Sequence, residues 1–462
     1  MVDRPNSPSF RDVAVNFHPY TNARKHEDKG AMVIREGKGI HVYDDAGKEY
    51  IEGLAGLWSV AVGFGEDRLI EAARAQMAKL PYYHSFAHKS HEPSIELSER
   101  LLAMAPGKMS KVFYTSSGSE ANDTAIKLVW YYNNALGRPE KKKIIGRIKG
   151  YHGITIASGS LTGLPYNHKD FDLPIKNILH TACPHHWRFG WEGESEEEFA
   201  SRLAGELEQM ILSEGPETVA AFIGEPVMGA GGVITPPKSY WQKIQTVCRK
   251  YDVLIIADEV INGFGRTGQL WGSTTYGIEP DMVVCSKQLT SSYMPLAALL
   301  FSDKIYQAVA DNTAKIGTFG HGYTASGHPV ATAVALENLK IIEERDLVGN
   351  AARMGERLQT GLRRFADHPL VGEVRGIGLI GCIELVADKA GKHPFDPVGA
   401  VGTYCYERCQ EHGLIIRNLG DQMAFCPPMI IDETGIDKLL ERFGRALDET
   451  ESWAGSQHLA AE

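Results

Sequence analysis

Val253-Leu254-Ile255-Ile256-Ala257-Asp258-Glu259-Val260 runs an apolar, largely β-branched stretch straight into two carboxylates. A run this short and this continuous reads as a strand buried on both faces, as in a parallel sheet covered by helices. Its carboxylates stand at the strand's C-terminal end, where α/β folds gather their ligands. Alone, Asp258 would mean no more than a capped loop.

The same texture recurs on either side. Val112-Phe113-Tyr114, Lys143-Ile144-Ile145, Val219 to Ile223, Met282 to Cys285 and Leu296 to Phe301 are short apolar runs separated by helical patterns. The alternation predicts an α/β fold on a mainly parallel sheet. Helical patterns from Gly327 to Leu339 and Leu347 to Phe365 follow, then β from Val371 to Leu385. Gly399 to His412 reads as helix, Leu414 to Arg417 as one strand and Gly435 to Leu447 as helix, which together make a smaller α+β domain. The expected division is residues 1–60 as arm and hairpin belonging to the small domain, 61–330 as the large domain, and 331–462 as the rest of the small one. Residues 1 to about 30 read as an irregular, extended arm carrying Phe17 and Tyr20, and 31–52 as a hairpin turning at Asp45-Ala46-Gly47-Lys48. The acidic stretch 190–216 reads as a surface excursion plus a helix, and the last ten or so residues as disordered.

With 462 residues, 43% of them apolar, the chain needs no staples to fill a core. A net charge of −10 weighs against a nucleic-acid or anionic membrane partner. Seven cysteines with no CxxC pair fit buried, reduced thiols and a cytoplasmic protein; Cys405 and Cys409 read as core or partner-facing. The N-terminus carries no signal-peptide core, and no stretch approaches the ~20 apolar residues of a membrane helix.

Two further segments join Asp258. Thr115-Ser116-Ser117-Gly118-Ser119-Glu120-Ala121-Asn122 leaves a strand and opens a helix with an apolar stripe of Ala121, Ala125, Leu128, Val129 and Tyr132. Ser117 and Glu120 have the spacing of a capping box, and the unpartnered amides of Gly118 and Ser119 make a phosphate site, or merely an ordinary capped helix. Met282-Val283-Val284-Cys285-Ser286-Lys287 places a lysine at the end of another buried strand. A desolvated lysine gives up its proton readily and forms Schiff bases, although a lysine alone would more simply reach for the surface. A phosphate cradle, a carboxylate and a strand-end lysine are together what pyridoxal phosphate needs.

At this point the chain resembles a class III aminotransferase of the fold-type-I pyridoxal-phosphate family, from about Tyr20 to Arg417 and beyond. The motifs stand in order: Ser117 to Asn122, Tyr151-His152-Gly153, Glu225-Pro226, Asp258-Glu259-Val260, Gly263 to Gly268, Ser286-Lys287 and Gly327-His328-Pro329. The resemblance implies a mainly parallel seven-stranded sheet in the large domain. It makes Lys287 the cofactor-bearing base and Asp258 the partner of the pyridinium nitrogen. Ser117, Gly118 and Ser119 would serve the phosphate, Tyr151 and Val260 the two faces of the ring, and His152 and Glu225 the cofactor's surroundings. Thr324 would reach the phosphate of a neighbouring subunit, so a homodimer with interfacial sites is expected, with a tetramer open.

Within the family, two departures matter. Ornithine- and GABA-type members follow the Glu-Pro motif with a glutamate that pairs with an active-site arginine; Ala230 stands here, and Ile261 replaces their glutamine. Arg417 matches the carboxylate-binding arginine of ω-amine:pyruvate enzymes. Tyr20, Leu57, Trp58, Phe86, Tyr151 and Ala230 resemble their pocket. The expected reaction moves an amino group from a primary amine to a keto acid, pyruvate above others. Putrescine, β-alanine or taurine donors are the alternatives, then another pyridoxal-phosphate chemistry on the same scaffold, then a non-catalytic relative.

Other signals are discounted. Gly263 to Gly268 fits GxGxxG, but no long helix pattern follows. His84, His88 and His91, or Cys183 with His185 and His186, lack a fourth ligand, and no metal is expected.

Overall fold

In the computed structural model, which describes residues 6–457 and 459, all six apolar runs are strands. Three strands precede them: β1 (Ile34–Lys38), β2 (His41–Asp44) and β3 (Glu49–Glu52). The runs themselves belong to β4 (Met109–Thr115), β5 (Lys143–Arg147), β7 (Val219–Gly224), β8 (Leu254–Asp258), β9 (Met282–Cys285) and β10 (Ala297–Ser302), with β6 (Ile178–Thr181) between β5 and β7. These seven form one sheet in the order β4-β10-β9-β8-β7-β5-β6. Only β10 runs antiparallel to its neighbours, β4 and β9. The C-terminal ends of β4, β5, β7, β8 and β9 therefore share one edge.

Side-chain alternation explains why the runs are apolar throughout. Leu254 and Ile256 face the helix Gly118–Ala135 with Ala121, Ala125 and Val129. Val253 and Ile255 face the opposite side, where Phe199, Leu203 and Trp241 come from the helices Glu196–Glu214 and Tyr240–Lys250. Successive strand residues point to opposite faces, so a sheet covered on both sides needs an apolar residue at every position. Each fully buried Leu or Ile contributes about 1.5–3 kcal/mol.

The remaining strands are β11 (Val371–Ile377), β12 (Ile380–Leu385), β13 (Leu414–Ile415), β14 (Arg417–Leu419) and β15 (Gln422–Phe425). They build two four-stranded sheets, β1-β2-β3-β13 and β11-β12-β15-β14. The single strand expected from Leu414 to Arg417 is thus two. Leu414 and Ile415 pair with β3, whereas Arg417 opens a strand that pairs with β15. The chain changes sheets at Ile416, which is buried.

Four other expectations need correction. The first thirty residues are not irregular: they hold the helices Pro8–Val15 and Ala23–Lys29, capped by the side chains of Ser7 and Asn22. Residues 31–52 form a three-stranded meander, with the Asp45–Lys48 turn joining its second pair. The final helix, Glu433–Ser456, runs well past Leu447, so the described part of the tail is ordered through Ser456. Finally, the capping box is half made. Ser117 Oγ accepts from Glu120 N (3.2 Å), but the Glu120 carboxylate accepts from Ser116 N (2.8 Å) rather than from the cap residue itself. All seven cysteines are buried and unpaired, Cys405 and Cys409 in the core. Among the described residues no helix is long and apolar enough to cross a membrane.

Candidate active site

The shared strand edge opens into a cavity of about 180 Å³, with Lys287 and Asp258 in its wall. Lys287 follows β9 and has a left-handed backbone, φ +46°. Such strain in a non-glycine residue persists only where its surroundings over-determine it. They do so here through its neighbours. Ser286 Oγ donates to the Leu296 carbonyl (2.8 Å). Gln288 Nε2 donates to the carbonyls of Ile261 (3.1 Å) and Gly263 (2.7 Å), and its Oε1 accepts from the buried Arg266 (3.0 Å). The Gly263–Gly268 loop is therefore a clamp on the lysine turn, and it leads only into the short helix Gly272–Tyr276.

Lys287 lines the cavity yet is deeply surrounded by protein. Desolvation brings its amine down to about 8, against Asp258 and Glu225, which pull the other way. A neutral amine is the form that attacks a carbonyl. Reconstitution of the cofactor-free protein with pyridoxal phosphate is therefore expected to quicken as pH rises, up to about 8, and to level off above it. Stopped-flow absorbance across pH 6–10 checks this; a rise continuing in step with an ordinary lysine, near 10.4, would contradict it.

Asp258 is 2% exposed. Its Oδ2 accepts from His152 Nδ1 (2.7 Å) and Asn122 Nδ2 (3.0 Å), and its Oδ1 from Val260 N (3.1 Å). Three donors fix the carboxylate in place. Asn122 sits one helical turn beyond Gly118, and it also donates to the His152 carbonyl (2.7 Å). Glu225, pushed up by burial, accepts from the amides of Tyr151 (3.0 Å) and Gly229 (2.9 Å) and so holds the Tyr151 turn. The second carboxylate of the strand end has another task. Glu259 accepts from Gly272 N (3.0 Å) and Ser273 N (2.5 Å), away from the cavity.

At the other end of the cavity stand Gly118 and Ser119, the first residues of their helix. Their amides have no intrahelical acceptor, and neither the Ser117 nor the Ser119 hydroxyl donates to any group among the described residues. A Cβ at Gly118 would lie 3.2 Å from Val260 Cγ2, so a larger residue here would crowd Val260 at this end of the cavity. The donor set fits pyridoxal phosphate. Gly118, Ser119 and the adjacent Ser117 offer hydrogen-bond donors for a phosphate, Val260 an apolar surface for a ring, Asp258 a fixed negative charge for a protonated ring nitrogen, and Lys287 a neutral amine for an aldehyde.

Tyr20, Leu57, Trp58, Ala230 and Arg417 line the same cavity. Among the described residues, no carboxylate lies within ion-pair distance of Arg417. Ile261, one of the two departures, also lines it, as do Tyr166, Gly153 and Ser286, to which the sequence reading gave no role. Tyr166 stands edge-on to Tyr20, with ring centroids 6.3 Å apart. Phe86 and Thr324 lie elsewhere. Both are exposed, and Phe86 packs against Gly322 while the Thr324 carbonyl accepts from Tyr82 (2.8 Å). The discounted histidines also have local tasks: His91 donates to Gly327 O (2.8 Å), and His185 pairs with Glu373 (2.7 Å).

Known proteins resemble this chain over nearly its whole length. In the curated set, the chain is 51% identical over 434 residues to the mitochondrial gamma aminobutyrate transaminase 1 of Solanum lycopersicum, spanning 94% of this chain and 84% of the relative. It is also 51% identical over 434 residues to the vanillin aminotransferase of Capsicum chinense, spanning 94% of each. The omega transaminase of Pseudomonas jessenii, solved in complex with PMP, superposes with a TM-score of 0.97 at 62% identity, over 97% of this chain and 99% of that one. A thermostable omega transaminase variant, W58M/F86L/R417L, engineered for asymmetric synthesis of enantiopure bulky amines, gives 0.96 at 61% identity, over 97% and 100%. The class-III aminotransferase family matches residues 22–447. A strand-end lysine, a pinned carboxylate and a phosphate cradle thus agree with the ancestry of nearly the whole chain: it belongs to the class III aminotransferases and is a transaminase dependent on pyridoxal phosphate.

Proposed function

We propose that the donor is an apolar primary amine of the ω-amine type and the acceptor pyruvate. The observation that carries this reading is Arg417: among the described residues a guanidinium without a carboxylate partner, in a cavity whose wall includes the apolar side chains of Leu57, Trp58, Ala230, Val260 and Ile261. A guanidinium takes a carboxylate bidentately, which suits a keto acid. The apolar wall suits an uncharged donor side chain. The engineered omega transaminase supports the assignment, because its altered residues match Trp58, Phe86 and Arg417 in type and number.

Pyridoxal phosphate, when bound, would supply an aldehyde to carry the amino group and an electron-withdrawing ring to stabilise the charge. The chain does the rest. Asp258, steadied by His152 and Asn122, holds the charge opposite the ring nitrogen. Lys287 Nζ takes the proton from the donor carbon and returns it on the other side of the transfer, a task its lowered proton affinity suits. Tyr151, its amide held by Glu225, would cover one face of the bound ring and Val260 the other. Arg417 orients the keto acid. Phe86 and Thr324, exposed and not lining this cavity, serve the site of a partner subunit in a homodimer. Buried, unpaired thiols support a reducing compartment, the cytoplasm in our reading.

A γ-amino acid donor is the second reading, favoured by the curated gamma aminobutyrate transaminases and by the ability of Arg417 to hold a donor's carboxylate as well. Adding a simple aryl-alkyl amine, without keto acid, separates the two. Bleaching of the yellow protein supports the first reading; bleaching by γ-aminobutyrate alone supports the second. Arg417→Ala is expected to lower kcat/KM for pyruvate roughly 10- to 150-fold, from the loss of charge-assisted hydrogen bonds. The half-reaction with an uncharged amine should change by less than about threefold. Equal losses in both halves would make Arg417 structural.

A further inference from the structure

We propose that Glu52 is a positioning residue: its buried carboxylate holds the strained turn that presents Leu57 and Trp58 to the cavity, and thereby sets selectivity for apolar donors. The last clause rests on the function proposed above.

Glu52 ends β3 and is 6% exposed. No lysine, arginine or histidine among the described residues pairs with it. Its Oε1 accepts instead from the amide of Leu54 (2.9 Å), and the Gly56 amide also turns toward the carboxylate. Between and beyond these two amides the backbone is unusual. Ala55, Gly56 and Trp58 have φ of +51°, +68° and +63°, with Leu57 at −134° between them. A glycine accepts a left-handed backbone at little cost, but alanine and tryptophan do not. Something must impose this path, and the chain offers two devices. The Trp58 amide donates to the Leu54 carbonyl (2.9 Å) and the Ser59 amide to the Ala55 carbonyl (3.0 Å), closing the turn on itself. The Glu52 carboxylate gathers the amides on the inner side, as an anion in a backbone nest does.

The result is functional in placement. Leu57 and Trp58 are consecutive residues of one turn, and both line the Lys287 cavity. Trp58 is 1% exposed and Leu57 53%, so the turn buries one side chain and leaves the other open while both reach the cavity. The carboxylate is also costly. Burial pushes Glu52 up to about 7, and among the described residues the Tyr406 hydroxyl and the Cys426 thiol are titratable neighbours that sense it. A group raised in this way disfavours folding once ionised, so its stability contribution does not account for its presence. The turn does.

The test uses the holoenzyme and two variants, Glu52→Ala and Glu52→Gln. Glutamine keeps an acceptor oxygen at the amides; alanine removes it. Hydrogen exchange by mass spectrometry should show residues 53–60 opening in Glu52→Ala, with the rest of the chain unchanged, and closing again in Glu52→Gln. The ratio of kcat/KM for 1-phenylethylamine to that for alanine should fall about tenfold in Glu52→Ala and stay within about threefold of wild type in Glu52→Gln. Unchanged exchange at 53–60, exchange raised across the whole chain, or local opening with an unchanged ratio would each overturn the proposal. If the wild type ignores 1-phenylethylamine, the donor assignment falls, and the positioning role is decided by the exchange data alone.

Discussion

Lys287→Ala should reduce transamination by on the order of 10⁴-fold with every donor and acceptor pair. The variant loses the only group placed to take and return the substrate proton in the proposed scheme, and it loses the amine that fastens the cofactor. The fold should survive. Alanine inherits the same left-handed φ that lysine already tolerates at this position, and it removes an amine whose desolvation the protein otherwise has to bear. The clamp of Gln288 on Ile261 and Gly263 does not involve the lysine side chain. Turnover assays together with a thermal melt check both halves of the expectation. Residual activity above about one-hundredth of wild type would take Lys287 out of the proton transfer.

Asp258→Asn should lower kcat/KM by up to about 10³-fold, the upper range for removing one member of a buried, hydrogen-bonded charge pair. Charge is half of the reason. The other half is hydrogen-bond polarity: both carboxylate oxygens already receive donors, from His152 and Asn122 on one side and Val260 on the other. An amide nitrogen at either place would face a donor, leaving a buried mismatch worth about 1–3 kcal/mol. A lower melting temperature should therefore accompany the kinetic loss. Cofactor affinity, read by absorbance titration, should weaken in parallel. A loss of less than about tenfold would mean that Asp258 does not face the reacting ring.

What could be read from sequence follows from what each element depends on. The central strands were legible because burial on both faces forces every residue to be apolar. Edge strand β6 was not: its middle residues, Leu179 and His180, are half-buried and leave no continuous run. The two helices before residue 30 have no buried residue and hence no apolar stripe; their caps alone mark them. Lys287, Asp258 and Gly118 were legible because their chemistry is attached to strand and helix ends. Asn122 was within a recognised motif, but its role depends on a contact with Asp258 across the sheet, which spacing does not show. Tyr166 lies in a short turn with no pattern of its own. The left-handed Ala55 and Trp58 lacked the glycine that usually announces such a backbone. The capping box failed for a local reason, a carboxylate that reached one residue further back.

The antiparallel strand β10 has a consequence for how the enzyme is made. It lies between β4, which leads to the phosphate cradle, and β9, which leads to the lysine. Those two strands have no partner in common except β10, which is the last of the seven to be synthesised. Until it pairs with both, the sheet has no link from β4 to β9, and the helix Gly118–Ala135 meets the lysine strand only by packing on it. The seven-stranded sheet is therefore closed only by the last of its strands to be made, the one that ends at Ser302.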